Sequence, residues 1–245
     1  MENFQFYNSL SPNYDEMINF ENSLKNKMES LQNFISPNFK TALDLGCGSG
    51  ADSIALAKLG LNVDAVDHSK GMLKQALQNS KKYGADINIL HSGLGELELQ
   101  NHKYDLIVSL GNTIANLDKK ELDQLFDNIK NHVNPNSRII FQLVNYANLP
   151  KTGSYILNEF DNENVSIIRK YNIFKSHIDF MILKEDKTTN EVSEIITKLY
   201  PYSLSDFKSF AIEENFELKV FGSLKKDPFI QEKSKNLVIV LSKKT

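Results

Sequence analysis

The chain has 245 residues, of which 41% are hydrophobic and 24% charged, enough for one large domain or a core with a modest insertion. Its net charge of −3 gives no electrostatic basis for a nucleic-acid partner, and its single cysteine, Cys47, excludes an internal disulfide. No apolar run approaches membrane-spanning length and the N-terminus lacks the plan of a signal peptide, so we expect a soluble, cytoplasmic protein without a membrane partner.

Residues 1–35 are predicted to form a helical lid. Within this segment, apolar residues recur at spacings of three and four over residues 14–35, which predicts an amphipathic helix that begins after Pro12. Tyr7 and Tyr14 fit two interpretations: core aromatics, or lid residues whose hydroxyls face a cofactor and an acceptor.

The stretch 41–50 predicts a buried strand and a glycine-rich turn, and a helix opens directly after it. The spacing of Gly46, Gly48 and Ala51 fits the dinucleotide fingerprint, so it indicates a nucleoside cofactor without deciding which one. The carboxylate of Asp44 would repel a pyrophosphate, but it suits S-adenosylmethionine, which carries an ammonium and a sulfonium group and no phosphate. The cofactor contacts predicted in this stretch are Asp44, Gly46, Cys47, Gly48 and Gly50, with Cys47 as a small packing residue of the turn.

The second predicted strand, residues 61–67, ends in a carboxylate. Asp67 follows the glycine turn by ~20 residues, the separation at which an acidic side chain accepts hydrogen bonds from both ribose hydroxyls of a nucleoside. Asp67 also fits a helix N-cap position beside Ser69, and the two roles are compatible. After a third strand, the turn 91–95 should pass near an adenine, where Ser92, Gly93 and Leu94 would contact the base.

The fourth predicted strand runs into the turn 111–116. In open α/β sheets ligands bind at the carboxyl ends of strands, so this turn should lie beside the reacting groups. Asn112 and Asn116 offer amides that can orient an amine or a carbonyl, although Asn is also common in tight turns. The fifth predicted strand, which begins at residue 138, leads to two further acceptor-orienting candidates, Asn145 and Tyr146.

The alternation of strands and helices predicts an α/β fold with a doubly wound, mostly parallel, seven-stranded sheet of the Rossmann-like kind. Residues 1–150 and 203–245, which end in an antiparallel hairpin, are assigned to this core. Residues 151–202 read as an inserted antiparallel β meander, which caps the site or forms the interface of a homodimer. Substrate contacts proposed in this insertion are Arg169, Tyr171 and Tyr200, although each also fits an ordinary sheet position.

Several of these motifs resemble a known family. Asp44-Leu-Gly-Cys-Gly-Ser-Gly50, Asp67 after the second strand and the closing hairpin look like a class I S-adenosylmethionine-dependent methyltransferase. The stretches Leu110-Gly-Asn-Thr-Ile-Ala-Asn-Leu117 and Gln142-Leu-Val-Asn-Tyr146 are similar, more narrowly, to turns of glycine/sarcosine N-methyltransferase-like proteins.

The resemblance implies roles for individual residues. Gly93 stands where the family commonly has an acidic residue, so the adenine would be recognised by backbone groups. Asn116 replaces the histidine typical of the glycine enzymes, and their carboxylate-binding arginine has no secure match, which argues against glycine as the acceptor. The roles that carry over are Gly46, Gly48 and Gly50 beside the methionine moiety, Asp67 on the ribose, His68 and Met72 beside the adenine, and Leu110, next to Gly111, with a backbone carbonyl directed at the methyl donor.

These observations predict an enzyme that transfers a methyl group from S-adenosylmethionine to a small-molecule acceptor, specifically an amine nitrogen, by in-line displacement, with S-adenosylhomocysteine as product. Alignment of the partners supplies much of the acceleration, so no obligate catalytic residue and no metal are expected. An NAD-dependent oxidoreductase and a non-catalytic cofactor-binding protein on the same fold remain as alternatives. The acceptor-orienting candidates are Tyr7, Tyr14, Asn112, Asn116, Asn145 and Tyr146.

Overall fold

The computed structural model describes residues 3–243, and its strands form two separate sheets. The strands are β1 (Thr41–Leu45), β2 (Asn62–Asp67), β3 (Asn88–His91), β4 (Tyr104–Ser109), β5 (Val133–Val144), β6 (Gly153–Asp161), β7 (Val165–Ile173), β8 (Ile178–Asp186), β9 (Glu191–Leu199), β10 (Phe216–Phe221) and β11 (Asn236–Lys243). The main sheet has seven strands in the order β10-β11-β5-β4-β1-β2-β3. Strands β1 to β5 are parallel, and β11 runs antiparallel between β5 and β10, which confirms the predicted fold class.

Helices cover both faces of the main sheet because successive strand residues point to opposite sides. The helices are α1 (Asn3–Ile18), α2 (Phe20–Leu31), α3 (Ala51–Lys58), α4 (Lys70–Tyr83), α5 (Lys119–Ile129) and α6 (Leu204–Glu213). In β1, Leu43 faces a cluster that includes α5 and α6, whereas Ala42 faces a cluster that includes α2, α3 and α4. Within residues 3–243, none of these helices combines the length and the apolar character that a membrane crossing requires.

The N-terminal segment forms two helices, and the predicted single helix over residues 14–35 is wrong. Helix α1 begins at residue 3 and contains Pro12 in its interior, and the helices are separated at Asn19, which has a φ of 50°. An interior proline costs about 3 kcal/mol because it removes a backbone hydrogen bond and crowds the preceding turn. Burial of Phe6 and Leu10 on the N-terminal side of the proline offsets this cost.

The four-stranded antiparallel sheet, in the order β6-β7-β8-β9, is the predicted insertion. Strand β6 was not predicted, since it lies at the edge of this sheet with mostly exposed side chains and therefore lacks the alternation that marks a half-buried strand. Strand β5 begins at residue 133, earlier than predicted. The Asn-Pro-Asn-Ser segment stays within the strand because a left-handed residue, Asn136 with a φ of 64°, accompanies a shift of register against β4.

Helix α1 packs between α4 and the four-stranded sheet. Phe6, Leu10 and Met17 of α1 share one buried cluster with Met72 of α4 and with residues of β7 and β8. The side-chain oxygen of Asn8 also accepts hydrogen bonds from the Ser69 hydroxyl (2.7 Å) and the Gly71 backbone N–H (2.9 Å), at the start of α4. Helix α1 is thus held over the carboxyl ends of the main-sheet strands.

Candidate functional site

A first cavity lies where the loops after β1, β2, β3 and β4 meet, at the carboxyl edge of the main sheet. This is the edge at which open α/β sheets bind their ligands. The first cavity is lined by Tyr7, Tyr14, Gly46, Gly48, Asp67, His68, Met72, Gly93, Leu94, Gly95, Glu96, Gly111, Thr113, Asn116, Leu117 and Glu121. It therefore brings together most of the residues that the sequence assigned to the cofactor.

The glycine turn forms one wall of the first cavity. Gly46 and Gly48 have φ values of +78° and +54°, which residues with a side chain rarely adopt. A Cβ atom on Gly46 would stand 2.2 Å from Cγ2 of Thr113, so the loop after β4 closes directly onto the turn. At Gly48 the nearest atom to such a Cβ belongs to the Tyr14 ring, 3.8 Å away. Glycine is required at the first position by lack of space and at both by backbone conformation.

The carboxylate of Asp67 connects this turn to α4. One of its oxygens accepts the backbone N–H of Gly48 (2.9 Å) and the other accepts that of Ser69 (2.8 Å). The Ser69 hydroxyl in turn accepts the N–H of Met72, so Ser69 is the N-cap of α4. Burial raises the pKa of Asp67, and the two backbone hydrogen bonds act against that rise. Each carboxylate oxygen keeps a lone pair for a ribose hydroxyl, so Asp67 can serve as ribose ligand beside the Ser69 cap.

The first cavity is also lined by residues that could lie against an adenine ring. His68, Met72, Gly93 and Leu94 line it, as the resemblance and the sequence implied. Glu96 and Glu121 also line it, and sequence reasoning missed both. Exposed acidic residues of this kind are common at the first turns of helices, so their sequence context carried no distinguishing signal.

A second cavity of about 360 Å³ adjoins the first, and Tyr7, Tyr14 and Gly111 line both. It lies between α1, the second sheet and the ends of β4 and β5, and its volume is in the range of small-molecule sites. Its other lining residues are Leu10, Met17, Asn112, Gln142, Leu143, Val144, Leu157, Asn158, Arg169, Tyr171, Phe180, Leu199 and Asn236. Sequence reasoning had placed Asn112, Arg169 and Tyr171 at the substrate but had missed Gln142 and Asn158.

Hydrogen bonds orient the polar residues around the shared wall. The Tyr7 hydroxyl donates to Oδ1 of Asn116 at 3.4 Å. Asn112, with a φ of 72°, uses Nδ2 to donate to the Tyr146 hydroxyl (2.8 Å) and Oδ1 to accept the N–H of Val144 (3.0 Å). Asn112 is thus a turn residue as well as a cavity residue, and Tyr146 supports it from behind without lining either cavity.

The tyrosines at these cavities are held in the neutral form. Burial raises the pKa of Tyr7 to about 12, an effect that the hydrogen bond with Asn116 only partly reverses. Burial likewise raises the pKa values of Tyr14, Tyr146 and Tyr171. At neutral pH these phenols are therefore hydrogen-bonding groups and not bases.

Asp44 does not contact the first cavity, which corrects the prediction made for it. Its side chain is buried beneath the turn and accepts a hydrogen bond from the Ser53 hydroxyl of α3 at 2.5 Å. Burial, together with the nearby charge of Asp52, raises the pKa of Asp44 to about 8. A buried carboxyl group whose pKa is raised and which does not line the cavity is poorly placed to select a cationic ligand by its charge. The argument from charge for the cofactor is therefore not supported by the position of Asp44.

Other predicted cofactor contacts also support the turns and do not line the first cavity. Cys47 is buried, Gly50 caps α3 in a left-handed conformation, and the Ser92 hydroxyl donates to the carbonyl of Gly93. The carbonyl of Leu110 accepts the Thr113 hydroxyl at 2.9 Å. These residues shape the walls through the backbone.

Two acceptor candidates lie elsewhere. Asn145 is buried, and its Nδ2 donates to the carbonyls of Gln231 (2.7 Å) and Ser234 (2.8 Å), so it anchors the connection between β10 and β11. Tyr200 packs against the core cluster that includes α5 residues, and its backbone N–H donates to the Ala115 carbonyl at 2.7 Å. Neither residue lines the first or the second cavity. Within residues 3–243, no group of three or more His, Cys, Asp or Glu side chains has the arrangement of a metal site.

Comparisons with known proteins agree with this geometry. Residues 42–136 match a family model described as a methyltransferase domain. A ribosomal protein L11 methyltransferase from Campylobacter fetus subsp. fetus is 40% identical over 101 residues, and the match covers 41% of this chain but only 34% of the relative.

Among solved structures, an S-adenosylmethionine-dependent methyltransferase from Clostridium acetobutylicum has a TM-score of 0.78 at 18% identity, with 98% of this chain and 99% of that chain covered. CalS10, an amino pentose methyltransferase from Micromonospora echinaspora solved with S-adenosylmethionine bound, has a TM-score of 0.67 at 13% identity, with 92% and 90% covered. The fold is therefore that of S-adenosylmethionine-dependent methyltransferases, and the region that matches the methyltransferase domain contributes most of the residues that line the first cavity.

Proposed function

We propose that this chain, whose residues 42–136 are a methyltransferase domain, methylates an amine nitrogen of a small molecule that binds in the second cavity. The first cavity would hold the cofactor, because Gly46 and Gly48 of the turn, the Asp67 carboxylate and apolar side chains all line it. Asp67 would hold the ribose, with Leu94 and Met72 against the adenine. When bound, S-adenosylmethionine supplies an electrophilic methyl group on a sulfonium sulfur.

The observation that carries the choice of an amine is the lack of a base in the second cavity. Within the described part of the chain, no His, Asp or Glu side chain lines it. Its tyrosines are neutral, since burial raises their pKa values. A hydroxyl acceptor would need a base to remove its proton, whereas a neutral amine already presents a lone pair and needs only orientation. The wall shared by the two cavities, at Gly111, Tyr7 and Tyr14, is where that orientation would take place.

Enclosure supports a small acceptor. Helix α1 and the second sheet cover the second cavity, which would then be capped by the insertion. The Campylobacter relative is a ribosomal protein L11 methyltransferase, a name that suggests a protein acceptor, but the match covers only 34% of that relative. Amine methylation is also what the similarity of the 110–117 turn to glycine/sarcosine N-methyltransferase-like proteins implies.

Two measurements test the proposal. Calorimetry with S-adenosylhomocysteine should show binding, and NADH should show none. The purified chain with trideuteromethyl-labelled donor should then label primary or secondary amines in a panel that pairs each amine with the matching alcohol. Labelling of alcohols alone would refute N-methylation. Binding of S-adenosylhomocysteine without transfer to any acceptor above background would favour a non-catalytic protein.

A further inference from the structure

The four-stranded sheet packs against the rest of the chain through one of its two faces. On β7, Val165 and Ile167 belong to the buried cluster that includes α1, and Arg169 lines the second cavity. Because successive strand residues point to opposite sides, Ile168 and Lys170 point away from α1 and the cavity. The side of the sheet to which these two residues belong is called the outer face below.

The strand register shows which other residues lie on the outer face. Residues that pair directly across neighbouring strands point to the same side of a sheet, so the partners of Ile168 and Lys170 lie on the outer face with them. In the order β6-β7-β8-β9, the two central rows are Glu159, Ile168, Leu183 and Glu194, and Ile156, Lys170, Met181 and Ile196. The two flanking rows are Asp161, Ser166, Glu185 and Val192 at one end, and Ser154, Asn172, Asp179 and Lys198 at the other.

The centre of the outer face is apolar. Five neighbouring residues of the two central rows make it up, namely Ile156, Ile168, Met181, Leu183 and Ile196. Within residues 3–243, none of the five belongs to one of the buried clusters that form the core, and Ile156 is 55% exposed. The solvent side of an antiparallel sheet normally carries polar residues, so a contiguous apolar centre indicates a surface that another molecule covers.

The charges of the outer face are separated along the strands. Toward one end lie four carboxylates, those of Glu159, Asp161, Glu185 and Glu194. Toward the other end lie Lys170 and Lys198, with the Asp179 carboxylate in an ion pair with His177. Within the described part of the chain, neither lysine forms an ion pair, and Asp161 is the only one of the four carboxylates that does. Such a face is complementary to a second copy of itself that is turned end over end.

We propose that two copies of this chain form a dimer through their outer faces, related by a two-fold axis that lies between the faces and crosses the strands at a right angle. This axis places the acidic end of each face over the basic end of the other, and it brings the two apolar centres together. An axis along the strands would instead place like charges over each other. The second cavity lies on the other side of each sheet, so the dimer leaves it within its own subunit.

The area of the outer face is sufficient for a stable dimer. Each of the four strands has nine residues. With strands about 4.8 Å apart and a rise of about 3.3 Å per residue, one face covers roughly 550 Å². Two faces together bury roughly 1,100 Å², which exceeds the approximately 1,000 Å² expected of a specific interface.

A measurement of mass with a matched pair of variants tests the dimer. Sedimentation equilibrium of the native chain at micromolar concentration should give twice the mass of the chain. Ile156→Lys should weaken the dimer by roughly tenfold or more, because it places a charge in the apolar centre. Ile212→Lys is the control, since it makes the same change at an isoleucine of α6 that is 80% exposed, and it should leave the dimer unchanged. A monomeric native chain, or equal weakening by both variants, would overturn the proposal.

An exchange of charges tests the two-fold arrangement. A variant with Lys170→Glu and Lys198→Glu is acidic at both ends of the outer face. A second variant, with the changes Glu159→Lys, Glu185→Lys and Glu194→Lys, is basic at both ends. Each variant alone should be monomeric, because like charges would meet, whereas an equimolar mixture should form a heterodimer. A dimer of either variant alone, or no heterodimer in the mixture, would overturn the proposed arrangement.

These variants can be separated from misfolded protein. None of the substituted residues lines the first or the second cavity, so the cofactor and acceptor sites are left intact. Formation of a heterodimer from two monomeric variants itself shows that both are folded. For Ile156→Lys, a far-ultraviolet circular dichroism spectrum equal to that of the native chain shows that the loss of the dimer is not a loss of fold.

Discussion

Replacing Asp67 with Asn should weaken cofactor binding while the fold is retained. The carboxylate receives the N–H groups of Gly48 and Ser69, one on each oxygen, at 2.9 and 2.8 Å. Asn has the same shape but replaces one oxygen with an NH₂ group. That group cannot accept a hydrogen bond from the backbone or from a ribose hydroxyl, and the side chain loses its charge.

The size of the effect follows from the number of hydrogen bonds lost. A hydrogen bond to a charged group contributes about 1.5–3 kcal/mol, and one ribose contact is lost outright in Asp67→Asn. A loss of about 2 kcal/mol corresponds to a roughly 30-fold increase in the Kd for S-adenosylhomocysteine. The backbone N–H left facing the amide nitrogen should lower the free energy of unfolding by about 1–3 kcal/mol.

Calorimetric titration with S-adenosylhomocysteine measures the first effect and chemical denaturation the second. Asp64→Asn is the matched control on the same strand. Its carboxylate accepts the Tyr104 hydroxyl (2.6 Å) and Nδ2 of Asn88 (2.8 Å), and it lines neither the first nor the second cavity. Asp64→Asn should lower stability and leave the Kd unchanged. A Kd within threefold of native in Asp67→Asn, or the same rise in both variants, would refute the assignment of Asp67 to the ribose.

Three further predictions concern the glycine turn, the buried Asp44 and the attachment of α1. Gly46→Ala should lower the free energy of unfolding by roughly 2–4 kcal/mol, because the backbone is left-handed and the new Cβ would stand 2.2 Å from Cγ2 of Thr113. Adding Thr113→Ser to this variant should restore part of the loss, since it removes the clashing methyl group. If denaturation experiments show no restoration, the contact is contradicted. Burial raises the pKa of Asp44 to about 8 in the folded state, so the native state binds this proton more tightly than the unfolded state does. The free energy of unfolding should therefore fall as the pH rises between roughly 4 and 8, with a slope of up to about 1.4 kcal/mol per pH unit. Asp44→Asn should flatten the pH dependence of the free energy of unfolding, and parallel curves for both proteins would show that Asp44 titrates normally. Asn8→Ala removes the oxygen that accepts hydrogen bonds from Ser69 and Gly71, so α1 should detach more readily from the start of α4. Limited proteolysis within α1 should then be several-fold faster than in the native protein. An unchanged rate would mean that the apolar face of α1 alone holds it in place.

The sequence predicted secondary structure correctly wherever a segment has one buried face and one exposed face. Strands β1 to β5 and helices α3 to α5 carry apolar residues at the spacing of their own secondary structure, so their order and type were predicted. Prediction failed where that pattern was weak or broken. Strand β6 buries almost no side chain, and Pro12 lies inside a helix because tertiary burial of Phe6 and Leu10 outweighs the local preference.

The candidate site shows the same division. The sequence predicted that Gly46, Gly48 and Asp67 lie at one site, and they line the first cavity together, because positive φ angles and the spacing from turn to carboxylate are local properties of a strand–turn–helix unit. Asp44 was misjudged because only the packing of α3 against β1 decides that its carboxyl group faces Ser53.

The sequence by itself therefore determined the methyltransferase fold, together with the glycine turn and Asp67 that line the first cavity. Only the tertiary structure decided which residues line the second cavity. Gln142 and Arg169 come from different sheets and share one cavity, and Tyr7 reaches the same wall from the N-terminal helix. The local periodicity of the sequence does not indicate that these residues lie close together, because the packing of elements that are distant in the chain brings them to one cavity.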